Sequence, residues 1–343
     1  MMKPDYKNIC KYLGRMVLSG AIFLYLVNKI DWSAARSTLA SLKYEYILIA
    51  LIPTMVELVL KSVKWRMLLK VKNIRVPFWE IFKIYYISSF IGTFLPSSLG
   101  IDLLRSYSLS RYIRNTHDSV STVVVDRLLG IISLIFVVLM GVLAIETGFV
   151  NNTWQFIITI IICLFVLFGG VILSRYLIVF LEWILYKLHF SPPKIEKYVT
   201  LLHRIYDSII DFKNNKWAVF KVFLVSIVFQ FSRVAISYFI ALSFDIHIGI
   251  KYWIIIVPLV TLATMLPLAV GGIGIREGAF VFFLSKLGVS ISTAFLLSIV
   301  TFLLVIIISL PGFVFYLLYG LSMRGGKNAS PPVSGDNRPA PGK

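Results

Sequence analysis

Charge of either kind is scarce in this chain. Only 15% of its 343 residues are Asp, Glu, Lys or Arg, against 58% hydrophobic residues. No soluble domain of this length needs so much apolar surface, so an ordinary water-soluble globule is excluded. Cysteine is nearly absent. Cys10 precedes the first apolar run and Cys163 lies inside another, which leaves no disulfide framework and no zinc-type spacing. The four histidines (His117, His189, His203 and His247) are scattered, so no metal site is expected. No P-loop is present, so no nucleotide cofactor is expected and ATP-driven pumping by this chain alone is not. Alternating segments of about ten residues are lacking too, which argues against a β-barrel.

What remains is long apolar runs, several reaching the roughly 20 residues that a helix needs to cross a bilayer. The chain reads as an all-α polytopic membrane protein. Full spans are expected at about 13–30, 44–63, 122–146, 154–174, 217–243 and 291–321, the last kinked at Pro311-Gly312. Asp31-Trp32-Ser33 reads as a helix cap before a short surface helix over 34–43. Trp65, beside Lys61, Lys64 and Arg66, fits an interfacial anchor. Within the cytoplasmic segment 178–213, Ile195, Val199, Leu202, Ile205, Ile209 and Phe212 recur at helical spacing, as in an amphipathic surface helix. Residues 1–321 form one transmembrane domain, and 322–343, rich in Pro, Gly, Ser and Asn, a disordered cytoplasmic tail.

Two further apolar segments are interrupted, and they share a pattern. Leu95-Pro96-Ser97-Ser98-Leu99-Gly100-Ile101-Asp102-Leu103-Leu104-Arg105 and Leu266-Pro267-Leu268-Ala269-Val270-Gly271-Gly272-Ile273-Gly274-Ile275-Arg276 both fit Leu-Pro-x3-Gly-x4-Arg, half a chain apart. Proline removes a backbone donor and glycine loosens the chain. Pro96, Gly100, Pro267, Gly271, Gly272 and Gly274 therefore mark two broken helices. Basic residues on both sides of the first suggest a re-entrant hairpin, tolerated where irregular backbone is buried in protein or lines a cavity.

The net charge of +18 has a topological reading. With both broken segments re-entrant, most of the 34 Lys and Arg fall on the face that carries both termini. Only Lys29, Arg36, Lys43, Lys251 and Lys286 fall on the other. The positive-inside rule then places both termini in the cytoplasm, for a multi-pass protein of the cell inner, or cytoplasmic, membrane. The two hairpins enter from opposite sides, as in an inverted-repeat carrier. Nucleic acid is not expected as a partner, since no soluble binding domain remains once the spans are assigned.

Charges inside the spans are the candidate site. Asp102 and Arg105 share a helical face at i and i+3, and Arg276 adjoins Glu277. Arg233 falls near mid-span, and Asp126, Arg127 and Glu57 are supporting candidates. Guanidinium matches phosphate geometry, so the functional reading is a cleft whose arginines hold an anionic lipid head group. Helix N-termini after Gly100 and Gly274 are a further source of donors. The competing reading is ion pairs that only fix packing. For Asp126-Arg127 and Glu57, a place near the headgroups, where charge costs little, serves as well. Asp102, Asp126 and Glu277 are able in principle to do acid–base work, but none has a supporting His or a recognised catalytic spacing, and no catalytic residue is assigned.

The run Ser89-Phe90-Ile91-Gly92-Thr93-Phe94-Leu95-Pro96, with Gly100-x-Asp102-x-x-Arg105, resembles the first signature of the lysylphosphatidylglycerol synthase transmembrane-region family. Leu266-Pro267 followed by Gly271-Gly272-Ile273-Gly274-Ile275-Arg276-Glu277 resembles its second. Lys64-Trp65 and Asp126-Arg127-x-x-Gly130 fit as well, and the resemblance spans roughly 12–320. Ser97-Ser98-Leu99 departs from the glycine pair common at that place. The resemblance implies a flippase-like lipid carrier. It also implies a stand-alone member without the cytosolic aminoacyl-transferase domain that performs synthesis in bifunctional relatives. The alternatives are an integral-membrane lipid-modifying transferase, or a non-catalytic scaffold for a separate lipid-modifying enzyme.

Overall fold

In the computed structural model the described residues are 17, 19–93, 100–144, 199–200, 203–204, 206–265 and 272–325. Every regular element among them is helical. In chain order they are α1 (Ser19–Asn28), α2 (Trp32–Ala40), α3 (Tyr44–Val71), α4 (Phe78–Thr93), α5 (Gly100–Ile113) and α6 (Thr116–Ala144). After a 3-10 turn at Asp211–Asn215 follow α7 (Lys216–Ser243), α8 (Ile250–Met265), α9 (Ile275–Ser285), α10 (Ile291–Ser309) and α11 (Pro311–Gly325). Among the described residues four stretches are long and apolar enough to cross a membrane: α3, α6, α7 and the run from Ile291 to Leu318. Of the six expected crossings, the first is described only in α1, and 154–174 lies outside the described residues, as do Cys10, Cys163, Pro96, Pro267 and Gly271.

The architecture repeats. A long helix, a broken pair and another long helix (α3, α4 with α5, α6) recur as α7, α8 with α9, α10. Each broken pair folds back on itself, and the same neighbours touch in both units. In the first pair, Ile81, Ile84 and Tyr85 near the start of α4 share a core with Leu109 near the end of α5. Near the bend, a Cβ on Gly92 of α4 would lie 2.1 Å from Ile101 of α5. In the second, Trp253, Ile256 and Val260 of α8 share a core with Phe280 and Leu284 of α9, and a Cβ on Gly272 would meet Thr264 at 3.2 Å. The arms have 16 and 14 residues in one pair and 16 and 11 in the other. At 1.5 Å per residue that is about 16–24 Å, short of the roughly 30 Å hydrocarbon core, so each arm goes in and comes back.

The two units are inverted. Helices α3 and α7 have 28 residues each and form the most extensive helix contact among the described residues. They run antiparallel. Lys43, before α3, donates its N–H to Ser243, the last residue of α7, at 3.0 Å. Met67, Lys70 and Val71 at the end of α3 share a groove with Asn215, Trp217 and Lys221 at the start of α7. The first hairpin begins where α3 ends and the second where α7 ends, so they open at opposite ends. The interface suits close approach. Ala50, Thr54, Leu58 and Ser62 make a four-spaced buried stripe on α3, facing α7 with its buried Val222, Ser226, Gln230 and Val234. Small residues let backbones near one another. Their hydroxyls are satisfied within the helix, Thr54 to Ala50 O at 2.7 Å and Ser226 to Val222 O at 2.9 Å.

Polar pairs tie both ends of this helix pair. Lys43 meets Asp245 at 2.6 Å on one face, and Lys72 meets Asp211 at 2.8 Å on the other. The hydrogen bond between Lys43 and Asp245 lowers the Asp245 pKa and raises that of Lys43.

Several expectations change. The short surface helix begins at Trp32, where Asp31 accepts the N–H groups of Ser33 and Ala34 as expected of a cap. The final helix is interrupted at Leu310, beside the expected kink at Pro311, and resumes as α11 to Gly325. Most of segment 178–213 lies outside the described residues; at its end, Phe212 is buried in a core with Leu68, Val125, Leu129 and Val222. Ser208 there donates to Asp118 at 2.7 Å. Trp65 is no interfacial anchor. It is fully buried, edge-on to Tyr85 at 5.6 Å, and donates Nε1–H to Thr122 at 3.3 Å.

Candidate functional site

Behind the bend of the first hairpin the charges form an alternating chain. Lys64 of α3 faces Asp126 of α6 at 3.0 Å. Asp126 accepts from Arg105 of α5 at 2.7 Å, Arg105 holds Asp102 at 2.9 Å, and Asp102 pairs with Arg127. Tyr85 of α4 bonds both Arg105 and, at 3.3 Å, Asp126. The Arg105 guanidinium lies 5.3 Å from the Trp65 ring and 5.1 Å from the Tyr85 ring. Four helices thus converge on one guanidinium that is 2% exposed. Each charge at mid-membrane costs about 2.5–3.5 kcal/mol on insertion scales, so alternating signs with shared hydrogen bonds are what make the group tolerable. Arg105 is committed to protein partners. Arg127 is the open end of the chain, its side chain 25% exposed.

The second hairpin builds a smaller centre at the start of α9. Gly272 and Gly274 adopt φ of 76° and 85°, the left-handed region that glycine enters without strain. This turn directs the Gly274 N–H to Glu277 Oε2 at 2.6 Å, so the expected backbone donor is taken by the protein's own carboxylate. Glu277 is fully buried and pairs with Arg276. Arg276 also donates to Ser298 of α10 at 3.3 Å and lies 4.1 Å from the Phe302 ring. Ser19 of α1 closes the turn by donating to Ile273 O at 2.6 Å. The two motifs are not superposable in register: Gly100 opens α5 five residues before Arg105, whereas Arg276 sits in the first turn of α9.

A third group lies midway along the α3–α7 pair. Glu57, at the middle of α3, pairs with Lys61 at 2.6 Å. Phe229, at the middle of α7, has three cations near its ring: Lys61 at 5.5 Å, Lys64 at 5.3 Å and Arg233 at 6.0 Å. Gln230 fastens α7 to α6 through Gly130 O at 3.3 Å and Ser133 Oγ at 3.2 Å. Glu57 therefore sits midway along a 28-residue helix and not at its end. Arg233 is half-buried, and among the described residues no carboxylate comes within 4.0 Å of it.

Of the residues singled out in the sequence, Asp102, Arg105, Asp126 and Arg127 are brought into one network, and Arg276 with Glu277 into another. Glu57 and Arg233 share the mid-span group. Sequence reading missed Lys64, Tyr85, Lys61 and Phe229 as members of the site, and Ser298 and Phe302 as partners of Arg276. The Glu57–Lys61 pair had a signal in its i, i+4 spacing. Among the described residues no group of His, Cys, Asp and Glu is arranged to hold a metal ion.

With this geometry in place, comparison with known families gives one finding. A family model described as the lysylphosphatidylglycerol synthase TM region matches residues 12–312. No curated protein matches the chain.

Proposed function

The chain belongs to the lysylphosphatidylglycerol synthase transmembrane-region family, and from that membership, which implies a membrane lipid-related role, we propose a flippase-like carrier that moves a lipid with an anionic phosphate head group between leaflets. The observation that carries this reading is the pair of hairpins opening at opposite ends of an inverted repeat, each with an arginine–carboxylate pair behind its bend. Such a pair supports alternating access to one central site. In this reading Arg276, 16% exposed at its side chain, and Arg127 face the lipid, while Arg105 and Asp102 hold the first hairpin in shape. The chain carries lipid without transforming it, and both termini lie in the cytoplasm on the face richer in Lys and Arg. A separate lipid-modifying enzyme is not required by this reading.

The test is leaflet exchange in liposomes containing the purified protein and a head-group-labelled lipid. Phosphatidylglycerol, phosphatidic acid and a polyprenyl phosphate should be compared with phosphatidylcholine. Acceleration of at least one anionic lipid, reduced by Arg276→Gln, is expected. Exchange no faster than in protein-free liposomes for all of them would sink the carrier reading. Product formation from a donor lipid in place of exchange would favour a transferase.

A further inference from the structure

The mid-span group has an unequal charge count that the hairpins do not explain. Helices α3 and α7 have 28 residues, about 42 Å each, so Glu57 and Phe229 lie roughly 20 Å from either end, midway along two helices long and apolar enough to cross a membrane. Lys61, Lys64 and Arg233 gather round the Phe229 ring. Lys64 is spent on Asp126. Glu57 neutralises one of the other two. Together with the hairpin chain, five cations (Lys61, Lys64, Arg105, Arg127 and Arg233) share three carboxylates (Glu57, Asp102 and Asp126). Among the described residues that leaves one positive charge in excess in the hairpin chain, at Arg127, and one in the mid-span group, between Lys61 and Arg233, in the middle of two apolar helices where each charge needs a partner.

We propose that Lys61 and Arg233 form an anion site for a lipid phosphate between α3, α6 and α7, with Phe229 as its floor. The inference rests on the lipid-carrier reading for its substrate class, but the site itself stands on charge and on its place midway along the two helices. A phosphodiester carries one negative charge, which matches the excess in the mid-span group, and a phosphomonoester, with about 1.5 to 2 at neutral pH, more than covers it and is able to take Lys61 from Glu57. Arginine supplies a planar fork and lysine a mobile point charge, the usual pair of phosphate ligands. Glu57 is the internal competitor. It holds Lys61 while the site is empty and gives it up to the phosphate. The acyl chains have a place beside the site, since Ile52, Met55, Val56 and Val59 of α3 and Leu224 and Val228 of α7 are exposed apolar residues.

Binding of short-chain phosphatidic acid to the full-length protein in detergent micelles, read by calorimetry, tests this. Short-chain phosphatidylcholine and inorganic phosphate serve as comparators. Lys61→Gln and Arg233→Gln should each weaken phosphatidic acid binding about tenfold, the loss of one charge-assisted hydrogen bond. Glu57→Gln should strengthen it by a similar factor, an effect that misfolding does not imitate. Inorganic phosphate bound as tightly as phosphatidic acid would overturn a lipid site in favour of a free-anion site. Affinity unchanged in all three variants would overturn the site and leave the carrier reading intact. Binding with the expected signs, but no leaflet exchange, would overturn the carrier reading and leave the site.

Discussion

Asp126 is where the packing argument is most exposed to measurement. Its carboxylate is 4% exposed and stands between Lys64 at 3.0 Å and Arg105 at 2.7 Å. Asp126→Asn keeps the shape and an acceptor oxygen but removes the charge, so two buried cations face each other across a neutral amide. Breaking a buried pair by removing one partner typically costs about 3–5 kcal/mol, and the retained acceptor places this change toward the lower figure. At about 2 °C per kcal/mol for a chain of this size, the melting temperature in detergent should fall by roughly 6–8 °C. Intrinsic fluorescence during a thermal ramp is a suitable assay. The second half of the test is Lys64→Met in the same chain, which removes the stranded ammonium and leaves its volume. The double variant should recover at least half of the loss. If Asp126→Asn melts within a degree of the parent, or if the double variant melts lower than the single one, the alternating-charge account of this core is wrong.

Other expectations follow from the same geometry. A Cβ on Gly312 would sit 2.3 Å from the Tyr86 carbonyl oxygen, so Gly312→Ala must push α11 away from α4, lowering stability by about 1–3 kcal/mol in the same thermal assay. Glu277→Gln keeps an acceptor for Gly274 N–H but strands Arg276; a loss of roughly 3 kcal/mol and slower lipid exchange are expected, whereas Ser298→Ala should be mild on both readouts. At the exposed face, the depressed Asp245 pKa means that its pair with Lys43 stabilises the fold above the ordinary carboxylate range, near pH 4, and that this contribution fades as pH falls through the lowered value. The Asp245→Asn protein should therefore show a smaller loss of melting temperature between pH 5 and pH 3 than the parent, and a parallel decline would contradict the pairing.

The broken hairpins were readable because Leu-Pro and clustered glycine interrupt apolar runs, a local signal that needs no knowledge of partners. Their opposite openings followed from where Lys and Arg fall, and the antiparallel contact of Lys43 with Ser243 agrees. Depth was harder. Ending the second span at 63 left Glu57 close to its end, but the helix runs on to Val71 and moves Glu57 to the centre. The error came from treating Lys64, Trp65 and Arg66 as a boundary. In the fold Lys64 stays inside because Asp126 is there to receive it, and Trp65 follows it into the core. That pairing joins residues far apart in the chain and on separate helices, so neither periodicity nor spacing announces it. Arg105 was legible as an intramembrane cation, but its full set of protein partners, Tyr85 above all, was not, since a tyrosine in an apolar run carries no mark of what its hydroxyl will meet.

The equal lengths of α3 and α7, and their head-to-tail contact, bear on energetics as well as on shape. In the carrier reading, a ligand seated beside Glu57 and Phe229 lies midway along both helices and meets a helix–hairpin–helix unit whichever way it leaves. On that reading no direction is built into the fold, and which leaflet fills is set by whatever makes, removes or traps the lipid on one side, or by the membrane potential acting on its charge.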